Sequence, residues 1–468
     1  MKIIKLKEAK RYQLHDLLNL FGLDDDDQDN KKFQKIIEKL LLIKILKRVK
    51  LQKNLIEIDP NWFNYKNWYQ FNYVGIFLID QLSFFVYPKY ISDQAIANDA
   101  QNNYVKFKQI INVILKYQNH ALKEQFSGSE VNQNFNLLKF TIDLFNNYHQ
   151  HGLYYSDQIF TKLNGKGSIL WKQTISQQMA YWSNQKPIYL NLVTREKNID
   201  QANLLTKLHQ AILSQCSFAL ENVLRVLNFE TIIFVSDQIS DLGSWDYLVY
   251  ELELELKNQF VNWKQEVLKQ MLNYLKKDYG KQNEIDFAFL GTHFFHVIWE
   301  HVCATVYQSD LNKTIRDLKL QPVNPLDLNK TLKQIIVKPV WNNVEVNQTL
   351  RPDLIIIKKG QVFIYDAKYY AIKFGPNLVE NNPGIQDLKK QYLYELAYQE
   401  LIQLNNLKLE TNGFLFPSDA DEDQELGIAK IDLFPWFTLR QTSNLFKLQE
   451  LKIILKSASQ IYAAYLKQ

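Results

Sequence analysis

Cysteine is almost missing from this chain. Cys216 and Cys303 are its two thiols in 468 residues, and neither belongs to a CxxC pair. That excludes a disulfide-stapled secreted scaffold and predicts two small buried thiols in a reducing interior. Gly and Pro are sparse too, at 14 and 11, which argues against long linkers. No apolar run reaches the roughly 18 residues of a membrane-spanning helix. The opening segment MKIIKLKEAKRYQLHDLLNL has neither a signal-length apolar core nor a small-residue cleavage site. An intracellular protein with no membrane association is expected. A nucleotide-hydrolysis signature is also lacking. GKGS at 165–168 comes nearest to a phosphate loop, but Phe160 stands where a Walker A glycine belongs, and Gly167 where Ser or Thr must follow the lysine. The chain itself is therefore expected to bind no nucleotide.

What is present suffices for folded cores: 46% hydrophobic and 13% aromatic residues, with a net charge of +5. Two or three domains are expected at this length. We read an α+β N-terminal domain over 1–130, a mainly helical region over 131–282 and a C-terminal α/β domain over 283–468. The first 60 or so residues read as two helices, LHDLLNLFGL and a Lys-rich segment. From Lys31 to Lys53 that segment holds nine basic residues and one acidic. It suits the solvated face of an amphipathic helix or a phosphate-binding face equally well. β structure is expected in LIEID (55–59) and from Trp68 to Tyr90, where aromatic and β-branched residues alternate. From Asn103 to Lys277 helices should dominate, interrupted near GKGSILWKQT. One long helix is expected over 247–280.

The C-terminal third is more specific. A helix in FFHVIWEHVCATVY precedes strands in QIIVKPVW, TLRPDLIII and VFIYDAKYY. A helix in IQDLKKQYLYELAYQELIQL and a strand in NGFLFP follow. That α-β-β-β-α-β order describes a mixed sheet with helices packed on it. Asp353 and Asp366 lie 13 positions apart with Gly360 near the midpoint, the spacing of a hairpin. Strand periodicity puts Asp366 and Lys368 on one face and Ala367 on the other. Two carboxylates at one strand end repel each other unless a cation joins them. Mg²⁺, with its oxygen preference and retained waters, suits that pair, and Mn²⁺ can substitute. Asp353 and Asp366 are expected to hold the metal. Lys368 is expected to position or help deprotonate the attacking water and to offset charge in the pentacovalent transition state. This is the pattern of a PD-(D/E)xK nuclease, which leaves 5′-phosphate and 3′-hydroxyl ends.

Other residues are candidates beside this set. Glu300, on the preceding helix, is placed to complete the metal shell. Gln391, with Glu395 and Tyr398 on the same face, is placed to contact the nucleic-acid backbone, as are Lys389 and Lys390. Each reads equally as an ordinary helix-surface residue. His293, His296 and His301 lack the HExxH order and do not share a face, so zinc is not expected.

Taken together, HFFHVIWEHVC, RPDLIII…VFIYDAKYY and NPGIQDLKKQYLYELAYQ resemble the LlaJI family of restriction endonucleases. That family is similar to the McrC nuclease subunit of McrBC-type systems. The resemblance is strongest over 290–420 and extends to WKQTI (171–175) and FNYVGIFLID…VYPKY (71–90). It implies a bacterial, cytoplasmic defence enzyme that cuts foreign double-stranded DNA. Asp353, Asp366 and Lys368 would be catalytic, with Gln391 near the site. Glu395 stands where some related nucleases carry the Tyr of a Gln-x-x-x-Tyr pattern. The resemblance also implies a McrB-like AAA+ GTPase partner, docked by residues 1 to about 280. Cutting both strands would call for dimerisation. Two other readings stay open: a self-sufficient type II endonuclease that reads DNA with its own N-terminal domain, and a non-enzymatic adaptor of an AAA+ ring.

Overall fold

The computed structural model describes residues 3–22, 27–49, 68–79, 82–125, 137–199, 203–227, 229–235, 238–278, 287–336, 340–341, 344–345, 350–376, 378–431 and 448–468. They form a mixed α/β structure in two compact units, one of residues 1–131 with 290–468, the other of residues 132–289. LIEID lies outside the described residues.

Two of the sheets position the site. The N-terminal sheet has β1 (Ile3–Lys7), β2 (Val74–Ile79), β3 (Leu82–Tyr87) and β4 (Phe287–Thr292) in the order β1-β3-β2-β4. β1 runs parallel to β3, and β2 pairs antiparallel with it. Every residue of β2 is buried, as its unbroken apolar run VGIFLI requires. Phe77 stacks on Phe84 at 4.5 Å and Phe85 on Phe107 at 4.4 Å. The chain therefore begins with strands rather than with the expected helix. In IIKLK each Lys alternates with a buried Ile or Leu, a period-two signal completed by a partner some eighty residues further on. Helices α1 (Leu14–Phe21) and α2 (Asp27–Leu42) follow. α2 buries Phe33, Ile36, Ile37 and Leu40 and turns Lys35 to solvent, as an amphipathic helix does.

The second sheet contains β5 (Leu354–Lys358), β6 (Gln361–Ala367), β7 (Lys408–Ser418), β8 (Gln424–Ala429) and β9 (Leu451–Ser457), ordered β5-β6-β7-β9-β8. β6, β7 and β9 are mutually parallel, and the two edge strands are antiparallel to their neighbours. Three helices pack here or on the N-terminal part: α3 (Val105–Gln125), α4 (Phe295–Val306) and α5 (Ile385–Leu404), with α6 (Ala458–Lys467) after β9. α5 is the crossover that parallel β6 and β7 require. Of the strand expected in QIIVKPVW, Val340–Trp341 is extended, but it pairs with Val344–Glu345 outside this sheet. Residues 337–339 lie outside the described set. Gln334 and Ile335 instead close a turn onto the Thr331 carbonyl.

Residues 1–130, expected as a separate domain, fold as one body with the C-terminal part. Gln109 donates to the Ser459 carbonyl at 2.7 Å and Lys116 to the Tyr465 carbonyl at 2.7 Å. The Tyr90 and Tyr462 hydroxyls are 3.2 Å apart, and Ser92 N–H donates to Asp419 at 2.9 Å. These bonds join α3 and the segment after β3 to α6 and the end of β7.

The second unit is helical at Leu137–His151, Leu204–Val226, Trp245–Asn258 and Asn262–Asp278. The long helix expected over 247–280 is thus two helices. The Gln259 side chain accepts hydrogen bonds from the Phe260 and Val261 amides, each at 3.1 Å, and diverts the backbone there. Residues 157–199 are not helical throughout either. Asp157–Leu163, Val193–Ile199 and Ser168–Ile169 form an antiparallel sheet, and Ala180–Ser183 pairs with Lys186–Tyr189. The Gly-Lys-Gly that imitates a phosphate loop has a packing role, because a Cβ at Gly167 would fall 1.9 Å from the Arg195 carbonyl oxygen. Cys216 and Cys303 are buried and are not joined by a disulfide. No described helix is long and apolar enough to cross a membrane.

Candidate active site

The hairpin of β5 and β6 turns on Lys359 and Gly360, which both adopt left-handed backbone at φ 52° and 76°. This is the two-residue turn whose twist suits a hairpin, and glycine takes that conformation without a Cβ clash. It sets the register Leu354↔Tyr365, which brings Asp353 opposite Asp366. The Ala367 amide donates to Asp353 Oδ2 at 2.8 Å and fixes that carboxylate at the mouth of the hairpin.

Asp366 is 3% exposed. Lys368 extends its ammonium back over it, with Nζ 2.8 Å from Asp366 Oδ2 and 3.1 Å from Asp387 Oδ1. Asp387, in the first turn of α5, was not singled out in the sequence. Its position three residues after Gly384, the N-cap of α5, was the available signal. Burial, then the hydrogen bond to Asp366, then the Asp366 and Glu300 charges push the Asp353 carboxyl up to about 9, against the Ala367 amide. For Lys368, burial acts downward. The Asp366 and Asp387 carboxylates outweigh it, so the ammonium is held above its ordinary value. The site thus has one carboxyl holding its proton and one ammonium locked in the charged form.

Glu300 faces this cluster from α4. Burial and then the Asp366 charge push its carboxyl up, and Lys368 and Arg351 draw it down. His296, one turn earlier on α4, is held below its ordinary value by burial and by the Lys89 and Lys368 charges. Tyr394 on α5 has its hydroxyl pushed up by burial and by Asp366 and Asp353. Arg351, His296 and Tyr394 therefore border the site too.

Gln391 is placed elsewhere. It is fully buried, and its Nε2 donates to Asn412 Oδ1 at 2.7 Å and to the Gly413 carbonyl at 3.1 Å. Asn412 in turn donates to Glu395 at 2.8 Å, and Tyr398 donates to the Leu332 carbonyl at 3.0 Å. The Gln391–Glu395–Tyr398 face of α5 is thus the one packed on the sheet, not a solvent-facing contact surface for nucleic acid. Polar residues line it because they bind one another and the β7 backbone. Lys389 and Lys390 are exposed. The three histidines diverge: His293 lies 2.8 Å from the Asn72 carbonyl, His296 borders the site, and His301 packs on Tyr117, His120 and Tyr465.

A divalent cation fits the donor set. Asp366 Oδ2 is buried and faces the Lys368 ammonium at 2.8 Å. Among the described residues no three His, Cys, Asp or Glu side chains converge on one point, and the two hairpin carboxylates are the residues that would hold a cation. Mg²⁺ is commonly held by one or two carboxylates, with water and substrate phosphate completing its six oxygens.

Known proteins resemble this chain over most of its length. A curated relative, the type II restriction enzyme BsuMI component YdjA of Bacillus subtilis (strain 168), is 25% identical over 415 residues, spanning 85% of this chain and 80% of its own. Two solved structures also match at 13% identity. Thermococcus gammatolerans McrB AAA+ hexamers with bound McrC give a TM-score of 0.39, covering 100% of this chain and 99% of that one. The Thermococcus gammatolerans McrBC complex gives 0.24, covering 65% and 88%. The sequence profile of the LlaJI restriction endonuclease spans residues 73–448, most of the chain and the whole hairpin with it. The chain belongs to the LlaJI family of restriction endonucleases.

Proposed function

We propose that the chain is the DNA-cutting component of a restriction system, a Mg²⁺-dependent PD-(D/E)xK endonuclease that acts with a McrB-like AAA+ GTPase. The observation that carries the chemistry is the facing pair Asp353 and Asp366, with Lys368 tied to Asp366 at 2.8 Å. The curated relative is named as one component of a restriction enzyme, which supports a division of labour. Residues 132–289 are the docking region we assign to the motor, because residues 1–131 are folded into the unit that carries the site.

Asp353 and Asp366 would hold the cation, with Asp353 giving up its proton as it binds. Bound there, Mg²⁺ supplies Lewis acidity at the scissile phosphate and a more acidic water. Lys368 stays cationic because two carboxylates hold it so. Its part is therefore to orient the water and stabilise negative charge on the phosphoryl oxygens, not to take a proton. The burial of Asp366 keeps bulk water from screening these charges.

Plasmid cleavage tests the proposal. The chain is assayed alone and with the AAA+ GTPase of its own gene cluster plus GTP, each with and without Mg²⁺. Cutting in the combined Mg²⁺ arm, with 5′-phosphate ends, is expected. Cutting by the chain alone would favour the self-sufficient enzyme. Cutting by an Asp366→Asn chain would sink the site assignment.

A further inference from the structure

VYPKY (86–90) is a motif of the N-terminal segment that the catalytic set does not use, and the fold delivers it to the nuclease hairpin. Pro88, Lys89 and Tyr90 follow β3, which β1 pins in parallel register, with Lys7 opposite Tyr87. The next residue of β1's segment, Glu8, accepts a hydrogen bond from the Lys89 amide at 3.2 Å and another from the Tyr369 hydroxyl. Tyr369 is the residue after Lys368. Its ring lies edge-on to Tyr90 at 6.2 Å and against Phe295 of α4 at 5.2 Å. The segment after β3 and the end of β6 thus share one packed core.

On that core the Lys89 side chain runs over the two residues that follow Lys368. Its Nζ stands 4.5 Å from the Tyr369 ring centroid and 5.4 Å from that of Tyr370. None of the ion pairs among the described residues involves Lys89. Burial acts against this half-buried ammonium and the Glu8 carboxylate acts in its favour, but Glu8 forms no ion pair with it, so the π-faces orient the charge without closing it off. Its charge reaches His296, as does that of Lys368, so both cations border the same face of α4. A cation so placed beside the site of a nuclease has a natural partner in the substrate, a phosphodiester of the strand being cut or its neighbour.

We propose that Lys89 is a DNA backbone-phosphate contact of the active site, so that the substrate strand is gripped by both the N-terminal and the C-terminal segments of the unit. The proposal rests on the nuclease reading above. Its test is binding rather than cutting, so the two can fail separately.

The full chain carrying Asp366→Asn serves as the parent, and binding of a short fluorescent DNA duplex is titrated in Mg²⁺ over a series of salt concentrations. Removing one phosphate contact lowers the slope of log K against log salt by about 0.9 and the affinity by about three- to tenfold. Lys89→Met keeps the aliphatic packing on the two rings, Lys89→Gln adds a neutral polar end, and Lys89→Arg keeps the charge. The expected result is a lower slope and affinity for Met and Gln at unchanged melting temperature, with Arg close to the parent. Unchanged affinity and slope in the Met variant overturn the proposal. So does an equal loss in the Arg variant, or a parent that binds no duplex. If the dependence on Lys89 holds and the chain with Asp366 intact cuts nothing with its partner, the nuclease reading falls and the phosphate contact stands.

Discussion

Asp353 and Asp366 occupy facing positions on the two strands of one hairpin, and the Asp353 carboxyl is pushed well above the usual carboxylate range. Burial is the first cause and the neighbouring Asp366 the second. Two such carboxyls do not both ionise in a low-dielectric site without a counter-charge beyond Lys368. An added cation would supply that counter-charge, as the proposed function requires.

Replacing Asp366 tests this most directly. Asp366→Asn should lower cleavage in the presence of partner, GTP and Mg²⁺ by at least about 10²–10³-fold, as loss of a preorganised charged group does. Circular dichroism and thermal melting should show an intact fold, because the change relieves Asp353 of its neighbour's charge. Cleavage within tenfold of the parent, roughly 1.4 kcal/mol in barrier height, would mean that the metal is held elsewhere.

The proton on Asp353 predicts a pH dependence. Folding raises this group from its ordinary value of 3.8 to about 9. Its contribution to stability is therefore full below about pH 4 and is lost as pH rises through about 9. The metal-free chain should lose that contribution across this window, and Asp353→Asn should not. Mg²⁺ binding near about pH 7 should release about one proton, read by calorimetry in buffers of different ionisation enthalpy. Binding without proton release would remove Asp353 from the metal's ligands.

Asp387 is expected to act through Lys368. Its carboxylate stands 3.1 Å from Nζ and helps to hold the ammonium above its ordinary value. Asp387→Asn should cut kcat by about tenfold, one charge-assisted hydrogen bond, with DNA affinity unchanged. The alkaline limb of the pH–rate profile should move to lower pH as Lys368 loses one of its two anions. An unshifted profile with reduced kcat would leave Asp387 a purely structural role.

For Gln391 the expectation is the reverse. Gln391→Leu leaves Asn412 Oδ1 without its donor in a buried setting, which costs about 1–3 kcal/mol. Urea denaturation should show that loss, and DNA affinity at matched fraction folded should not change. A selective loss of DNA binding would return Gln391 to the substrate contacts.

How far the sequence discloses all this depends on how local each signal is. The hairpin was legible because Lys359-Gly360, strand alternation and the two aspartates sit within 16 residues, 353–368. The start of α5 was legible as well, from the Asn-Pro-Gly at 382–384 that precedes it. Which face of α5 turns inward was not. Gln391 donates to Asn412 and Asn412 to Glu395, so a face that looks polar is buried. β1 escaped notice for the opposite reason. Its five residues carry a weak signal that β3 completes from far along the chain. The break at Gln259 depends on one side chain reaching back to two amides, a choice that helical periodicity on both sides conceals.

The division of the chain into one continuous and one discontinuous unit has a consequence in time. The body that carries the hairpin is assembled from residues 1–131 and 290–468, so its first part is synthesised long before its second. At ordinary elongation rates the wait is on the order of ten seconds or more. Throughout it VGIFLI and LSFFVY lack the later segments that cover them, and Lys368 does not yet exist. A ribosome that stalls within residues 132–289 therefore releases no cutting hairpin. What it leaves is an apolar sheet fragment without the segments that complete its unit.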